Sequence, residues 1–375
     1  MSDYPRLLNL KVLLKQKSHF LFGARSTGKS TLIHTNLGDQ AQVYDLLDDS
    51  VFERLAREPQ ILSQKLEKKI IVIDEIQRLP KLLNEVHRIL TKSSVRFLLT
   101  GSSARKLKSD SVNLLGGRAW QSHLYPLISD EITDFDLLKY LNVGGLPHVY
   151  LSLHPQNELK AYVNLYLKQE IMAEALTRKI EYFLNFLDII SINNGEELHY
   201  QGLSNDSGVP ARTIQNYVQI LEDTLLGFEL KPYVKTKKRK AITRSKFYLF
   251  DLGVTNYLAK RGKIEEKSEL YGKAFEHFII REIKSILEYR QTDTELFYWR
   301  STSQQEVDLI MGNSIAIEIK STNQTNESHL KGLKALKEEG QIKRFVVVSN
   351  DKLERKIDGF EFIYWKNFIK QMLKY

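Results

Sequence analysis

GARSTGKS, residues Gly23–Ser30, decides how this chain is read. It fits G-x-x-x-x-G-K-S at every position. An apolar run, HFLFG (19–23), leads into it and a helical pattern follows. A strand, a glycine-rich turn and a helix N-terminus form the context in which such a motif cradles phosphate. The glycines let successive N–H groups curl around the anion, and the helix end adds positive potential. The pattern predicts a nucleotide-binding loop made by Gly23, Ala24, Arg25, Ser26, Thr27, Gly28, Lys29, Ser30 and Thr31. Lys29 is expected to reach the β- and γ-phosphates of ATP, and Ser30 to offer its hydroxyl to Mg²⁺.

Downstream, IIVIDE (70–75) reads as a buried strand with two carboxylates at its C-terminal end. Open α/β sheets carry their ligands at that edge. Asp74 is expected to hold Mg²⁺ and Glu75 to act as general base on the attacking water. VRFLLT (95–100) is the next strand. Its terminal Thr100 is expected between the two motifs as a sensor of the γ-phosphate, with Ser102 as runner-up. Arg118, in LLGGRAW, opens the following strand. An arginine there either stabilises transferred phosphoryl charge, in its own or a neighbouring subunit, or is a surface residue after a Gly–Gly turn.

The same alternation extends through QVYDLL (42–47) and AWQSHLY (119–125), with amphipathic stretches between the apolar runs. This predicts an α/β fold whose parallel sheet has helices on both faces. Residues 131–200 read as a helical lid or connector. LSNDSGVPARTIQNYVQILED (203–223) has the form of a helix-turn-helix, with Gly208 at the turn and Pro210 at the first position of the second helix. Ile214, Tyr217, Val218 and Leu221 make its core stripe. Arg212, Gln215 and Asn216 are left outside, where they suit groove contacts with DNA. Two strand-like runs follow around a basic tip, and from Lys231 to Lys246 there are eight Lys/Arg and no acid. A winged helix over 201–255 is expected, with Lys237, Lys238, Arg239 and Lys240 as phosphate contacts. Protein interaction, or simple solvation of the hairpin, is the competing reading.

Residues 256–375 return to mixed α/β. Asp308 in EVDLIM, and Glu318 and Lys320 in IAIEIK, recreate the D…E-x-K pattern of restriction-endonuclease-like nucleases. Period two puts Glu318 and Lys320 on one strand face. Asp308 and Glu318 are expected to share a Mg²⁺, with Lys320 beside the attacking water and Glu276 completing the shell. The competing reading is an inactive domain in which Glu306, Asp308 and Lys320 form a buried ion network.

Composition narrows the field. The 375 residues exceed what one core usually supports, and the expected division is 1–130, 131–200, 201–255 and 256–375. There is no cysteine, which excludes disulfides and thiolate chemistry and suits the cytoplasm. No run approaches the length of a transmembrane helix, and MSDYPRLLNL lacks the form of a secretory signal, so no membrane partner is expected. The net charge of +9 hints at a polyanionic partner.

Along almost its whole length the chain resembles the prokaryotic AAA+ ATPases that carry a C-terminal domain of unknown function with a restriction-endonuclease-like, PD-(D/E)XK, fold. The stretches that carry the resemblance are GARSTGKSTL, IIVIDEIQRLP, FLLTGSSARKL, LLGGRA, GGLPHVYL, KFYLFDLGVTNYLA, GKAFEHFIIREI, FYWRSTSQQEVDLI and IAIEIKS. The resemblance implies an ATP-binding N-terminal domain, a winged helix in the middle and a nuclease-like end. The family's usual Lys–Asp–Ile appears here as Gln169–Glu170–Ile171. The expectation is an ATP-driven switch acting on nucleic acid, able to assemble with copies of itself so that Arg118 acts in trans. The alternative is an ATP-controlled scaffold whose C-terminal modules only bind proteins.

Overall fold

The computed structural model describes residues 4–64, 66–103, 115–167 and 180–375. The five N-terminal apolar runs become β1 (Ser18–Phe22), β2 (Ala41–Asp45), β3 (Ile70–Asp74), β4 (Arg96–Gly101) and β5 (Ala119–His123). They form one sheet in the order β2-β3-β4-β1-β5, and every neighbouring pair is parallel. Side chains alternate between two cores. Leu21, Val72 and Leu98 pack with the helices Leu10–Gln16 and Lys29–Leu37. Phe20, Phe22, Ile71, Ile73, Phe97 and Leu99 pack on the opposite face with the helix Leu82–Lys92. Burial on both faces is why these strands read as nearly unbroken apolar runs. The order also brings the C-terminal ends of β1, β3 and β4 to one edge, where a crevice can take a ligand.

Short helices follow β5, at Leu137–Val143, Pro147–Tyr150 and Pro155–Ala161, and a further helix spans Ile180–Ile192. Gln169–Glu170–Ile171 lies outside the described residues. The expected helix pair is Tyr200–Ser207 and Ala211–Asp223, joined through Gly208 at φ 69°. Pro210 caps the second helix one residue ahead of its expected place. Ile214, Tyr217, Val218 and Leu221 are buried, as the helical spacing requires. Among the described residues no helix is long and apolar enough to cross a membrane.

The remaining strands are β6 (Gly227–Pro232), β7 (Lys246–Leu249), β8 (Leu296–Arg300), β9 (Glu306–Met311), β10 (Ile315–Lys320), β11 (Arg344–Ser349), β12 (Arg355–Ile357) and β13 (Phe360–Tyr364). They make a single eight-stranded mixed sheet in the order β12-β13-β11-β10-β9-β8-β6-β7. Ile317, Ile319, Val346 and Val348 pack with Phe275, Phe278 and Ile279 of the long helix Glu269–Tyr289. Ala316, Ile310, Phe345 and Val347 pack with Leu333 and Leu336 of the helix Lys331–Lys337.

Here the structure departs from the expected division at residues 255/256. The β6–β7 hairpin was expected to project as a wing of the helix pair. Instead β6 also pairs in parallel with β8, through Lys231↔Phe297 and Pro232↔Tyr298. A strand edge left open by the hairpin is satisfied by the C-terminal sheet, so the two units share one hydrogen-bonded layer.

The long helix has 21 residues and therefore spans about 31 Å. Its C-terminal half locks onto the segment that follows β5. The Ser129 backbone N–H donates to both oxygens of Glu282 at 3.0 and 3.1 Å, the His123 N–H donates to Glu288 at 2.9 Å, and the Tyr125 N–H donates to the Tyr289 hydroxyl at 3.0 Å. Burial pushes the Glu282 carboxyl up to about 7, although the Ser129 donors oppose the rise.

Candidate active site

The loop between β1 and the helix Lys29–Leu37 has the backbone of a phosphate cradle. Gly28 caps the helix at φ 95°, a conformation other residues adopt only with strain. A Cβ on Gly23 would lie 2.5 Å from the Leu124 carbonyl oxygen, so only glycine fits against the end of β5. Lys29 is buried, and its ammonium donates to the carbonyls of Gly23 at 2.7 Å and Ala24 at 3.4 Å. Ser30 and Thr31 are exposed at the first helical turn.

Three sequence-distant residues converge beside this loop. The Ser30 hydroxyl donates to Asp74 Oδ2 at 3.0 Å, and the Thr100 hydroxyl donates to Asp74 Oδ1. The Glu75 backbone N–H donates to Thr100 Oγ1 at 3.3 Å. Asp74 and Thr100 are buried, while Glu75 is partly exposed. Glu75 has φ 60°, which turns the chain sharply as β3 ends. The donor set around Asp74 consists of oxygens alone, the chemistry a hard cation such as Mg²⁺ takes. The residues present fit that ion.

Arg118 lies elsewhere. Parallel pairing sets Ala119 beside Ser18 and His123 beside Phe22. The phosphate loop follows Phe22, so Arg118 stands at the opposite edge of the sheet. Five residues of strand separate the two edges, roughly 16 Å at 3.3 Å per residue. Arg118 is exposed there and is not brought to its own chain's site.

Two neighbours of the site were not singled out from the sequence. Arg6, half-buried, donates to the Thr27 carbonyl at 2.8 Å and the Tyr125 carbonyl at 2.6 Å, and pairs with Glu131 at 3.0 Å. It also donates to the Tyr289 hydroxyl at 3.1 Å, tying the phosphate loop to the end of the long helix. Gln77 donates through its side-chain amide to Glu75 and, at 3.3 Å, to Ser102 Oγ. Ser102, the runner-up sensor, thus meets Glu75 only through Gln77. Arg6 gives no local signal, since its partners lie 21, 119, 125 and 283 positions away. Gln77 stands beside the Asp74–Glu75 motif and could have been considered on proximity.

On the helix pair, Arg212, Gln215 and Asn216 are exposed along one side of Ala211–Asp223. The basic tip is less uniform than its sequence suggests. Lys237, Lys238 and Lys240 are exposed. Arg239 is turned inward, donating to Glu338 at 2.6 Å and to the Ala335 carbonyl at 3.1 Å. Backbone N–H groups of Lys237, Lys238 and Arg239 all donate to the Glu339 carboxylate, at 2.7, 2.8 and 3.1 Å. These three donors, with the Arg239 side chain, hold Glu339 below the usual carboxylate range even though burial works the other way. Arg239 therefore fastens the tip, its guanidinium engaged by Glu338 and the Ala335 carbonyl.

The C-terminal carboxylates do meet, but around amines. Lys320 Nζ lies 2.7 Å from Glu318 and 3.5 Å from Asp308. Asp308 Oδ2 also accepts from the Ile319 backbone N–H at 2.6 Å. Glu276, expected to complete a metal shell, instead accepts from the Tyr248 hydroxyl at 2.6 Å and pairs with Lys246 at 3.3 Å. Lys246 is buried and reaches Glu306 at 2.7 Å. Burial pushes Glu318 up to about 8, reinforced by Asp308 and opposed by Lys320. Among the described residues no group of three His, Cys, Asp or Glu is placed to hold a metal ion. As they stand, Asp308, Glu318 and Glu276 do not fit the shared Mg²⁺ expected of them. They meet Lys320, Lys246, the Tyr248 hydroxyl and the Ile319 N–H, while Glu318 Oε2 is buried without a hydrogen-bond partner; Lys246 and Tyr248 were concealed by sequence distance.

Comparison with known proteins divides the chain into three. Residues 15–133 match the AAA domain family. Residues 134–265 match a domain of unknown function, DUF8612, and residues 271–368 another, DUF4143. An uncharacterized protein of Haemophilus influenzae is 24% identical over 348 residues, covering 86% of this chain and 82% of its own. An uncharacterized protein of Methanocaldococcus jannaschii is 24% identical over 383 residues, covering 92% and 81%. Among solved structures, a Walker-type ATPase of Pyrococcus abyssi aligns with TM-score 0.44 and 16% identity, over 66% of this chain and 93% of that one. The Aeropyrum pernix ORC1 protein, solved in complex with DNA, aligns with TM-score 0.27 and 14% identity, over 69% and 95%. The family match over residues 15–133, the all-parallel five-stranded sheet and the complete phosphate-loop motif identify the N-terminal part of this chain as a P-loop domain of the AAA type.

Proposed function

We propose that this chain hydrolyses ATP with Mg²⁺ and uses the cycle to control nucleic-acid contacts made by its helix pair and basic tip. The convergence of Ser30 and Thr100 on Asp74, with the Glu75 backbone N–H on Thr100, carries the reading. Lys29 is poised to exchange the Gly23 and Ala24 carbonyls for phosphate oxygens. Mg²⁺, when bound, offsets the negative charge of the β- and γ-phosphates. Asp74, with Ser30, would hold it. Glu75 takes a proton from the water whose oxygen attacks the γ-phosphorus as the bond to the bridging oxygen of ADP breaks. Thr100 orients both acidic residues, one through its hydroxyl hydrogen and the other through its lone pair. Arg118 serves only a neighbouring copy's site, in an assembly that packs the two opposite sheet edges together.

Hydrolysis by Lys29→Ala and Glu75→Gln proteins tests the assignment. Each change is expected to lower turnover about a hundredfold or more, the usual scale for a lost transition-state contact. Turnover at the parent rate by both variants overturns it.

Exposed Arg212, Gln215 and Asn216, together with the exposed lysines of the tip, support the nucleic-acid part of the reading. The amine-filled carboxylate cluster favours a second reading for the C-terminal unit, in which a fold of restriction-endonuclease type serves as a binding scaffold without cleavage. Mg²⁺- or Mn²⁺-dependent nicking of DNA by the parent, lost in Asp308→Ala, would exclude that second reading.

A further inference from the structure

We infer that Gln77 is a positioning residue for the Glu75 base, holding one carboxylate oxygen against the end of β4 so that the other is presented to the attacking water. The inference rests on the reading of Glu75 as the base.

The geometry around Gln77 is over-determined. Its side-chain nitrogen has two acceptors, Glu75 Oε2 and Ser102 Oγ, whereas its oxygen is buried without a hydrogen-bond partner. Exchanging the amide ends would set a carbonyl oxygen against the Glu75 carboxylate, so the donor end must face Glu75. Leaving a buried acceptor unmade is costly, and such a group persists where the surroundings dictate it. The dictating contact is Gly101. A Cβ there would lie 2.5 Å from Gln77 Oε1, so the amide oxygen occupies the space a side chain at the end of β4 would need. Glu75 is itself restrained, with φ 60° and its N–H on Thr100. Backbone and side chain are thus both pinned to β4, whose C-terminal end also accepts the Gly23 N–H of the phosphate loop at 3.2 Å. Base and phosphate cradle are registered to the same strand end. Small displacements of a base from its reacting water are expensive in rate, which is what such pinning prevents.

The test compares steady-state hydrolysis with nucleotide affinity, the latter measured with a fluorescent, slowly hydrolysed ATP analogue on the full chain. Gln77→Leu keeps the bulk over Gly101 and removes the donor. Gly101→Ala leaves every polar group in place but pushes the amide away. Both are expected to lower kcat about tenfold or more, with KM and analogue affinity within about twofold of the parent. A merely structural role would weaken affinity and turnover together. Gln77→Glu is isosteric and substitutes a carboxylate for the donor, so it reads the same loss should Gln77→Leu fold poorly. Parent-like kcat in Gln77→Leu or Gln77→Glu, with Glu75→Gln inactive, overturns the role of Gln77 alone. Parent-like turnover in Glu75→Gln overturns the base assignment beneath it.

Discussion

Two regions of this molecule gather acidic residues on or beside β-strands, and they are finished in opposite ways. Around Asp74 the carboxylate's partners are the Ser30 and Thr100 hydroxyls, and Thr100 in turn accepts from the Glu75 backbone N–H. Hydroxyls can rotate and re-bond, so a cation and a phosphate can enter without breaking an ion pair. Around Asp308, Glu318, Glu276 and Glu306 most partners are charged: the ammonium groups of Lys320 and Lys246 and the Arg300 guanidinium, with the Tyr248 hydroxyl and the Ile319 backbone N–H beside them. A metal entering there must displace a charged amine from a buried site. The residue types that suggest metal chemistry are the same in both places. What separates a receptive site from a closed network is the charge and mobility of what surrounds them.

The sharpest way to break this comparison is to remove an amine. Lys246→Met leaves Glu276 and Glu306 without their shared cation, and a buried pair broken on one side usually costs about 3–5 kcal/mol. An unfolding free energy lowered by that amount in urea titration, with ATP hydrolysis unchanged in the surviving fold, is the expected outcome. Adding Glu276→Gln to Lys246→Met should recover much of the loss, because the uncompensated charge is then gone. A loss below about 1 kcal/mol in the single variant would mean that the network is dispensable, and that amines do not close this site.

Glu282 offers a third environment, between the other two along the long helix. It accepts from Ser129 alone among neutral donors, and burial holds it at about 7 against an ordinary value of 4.5. The folded state therefore binds more protons than the unfolded state between those values. Stability falls as pH rises from about 4.5 to about 7 and then levels, by up to ~3 kcal/mol. Glu282→Gln should remove that fall. The urea midpoints at pH 5 and pH 8 should differ less in the variant than in the parent. Equal differences would show that Glu282 ionises without penalty and that its pocket admits solvent.

The difference between the regions also explains what the sequence could convey. The phosphate loop, Asp74–Glu75 and the apolar runs of β1, β3 and β4 are contiguous signals, each decided within about ten residues by spacing and burial. Thr100 could be placed because β4 follows β3 directly in an alternating pattern. Lys246 could not, since its partners lie 30 and 60 positions away, and a lysine in a basic stretch reads as solvated. The joining of β6 to β8 escaped for the same reason: two hydrogen-bonded registers over 66 positions leave no local trace. β12 and β13 were missed because RKI and FEFIY are short and lie outside the strand runs picked out by apolar periodicity.

The basic tip carries the same contrast on a smaller scale, and salt dependence can read it. Arg239 resembles the closed network, its guanidinium committed to Glu338 and its backbone N–H to Glu339. Lys237, Lys238 and Lys240 resemble the open site, exposed at the tip. If the tip meets nucleic acid, each lysine that neutralises a phosphate contributes about 0.9 to the slope of log affinity against log salt. Replacing all three lysines by alanine should flatten the slope by about 2 to 3 and weaken binding at low salt. Arg239→Ala should leave the slope unchanged while lowering the urea midpoint of unfolding only slightly, since its ion pair is partly exposed. A slope that falls equally for Arg239→Ala and for single lysine changes would show that Arg239 leaves Glu338 to bind phosphate. An unchanged slope in the triple variant would move the nucleic-acid surface away from the tip and onto Arg212, Gln215 and Asn216.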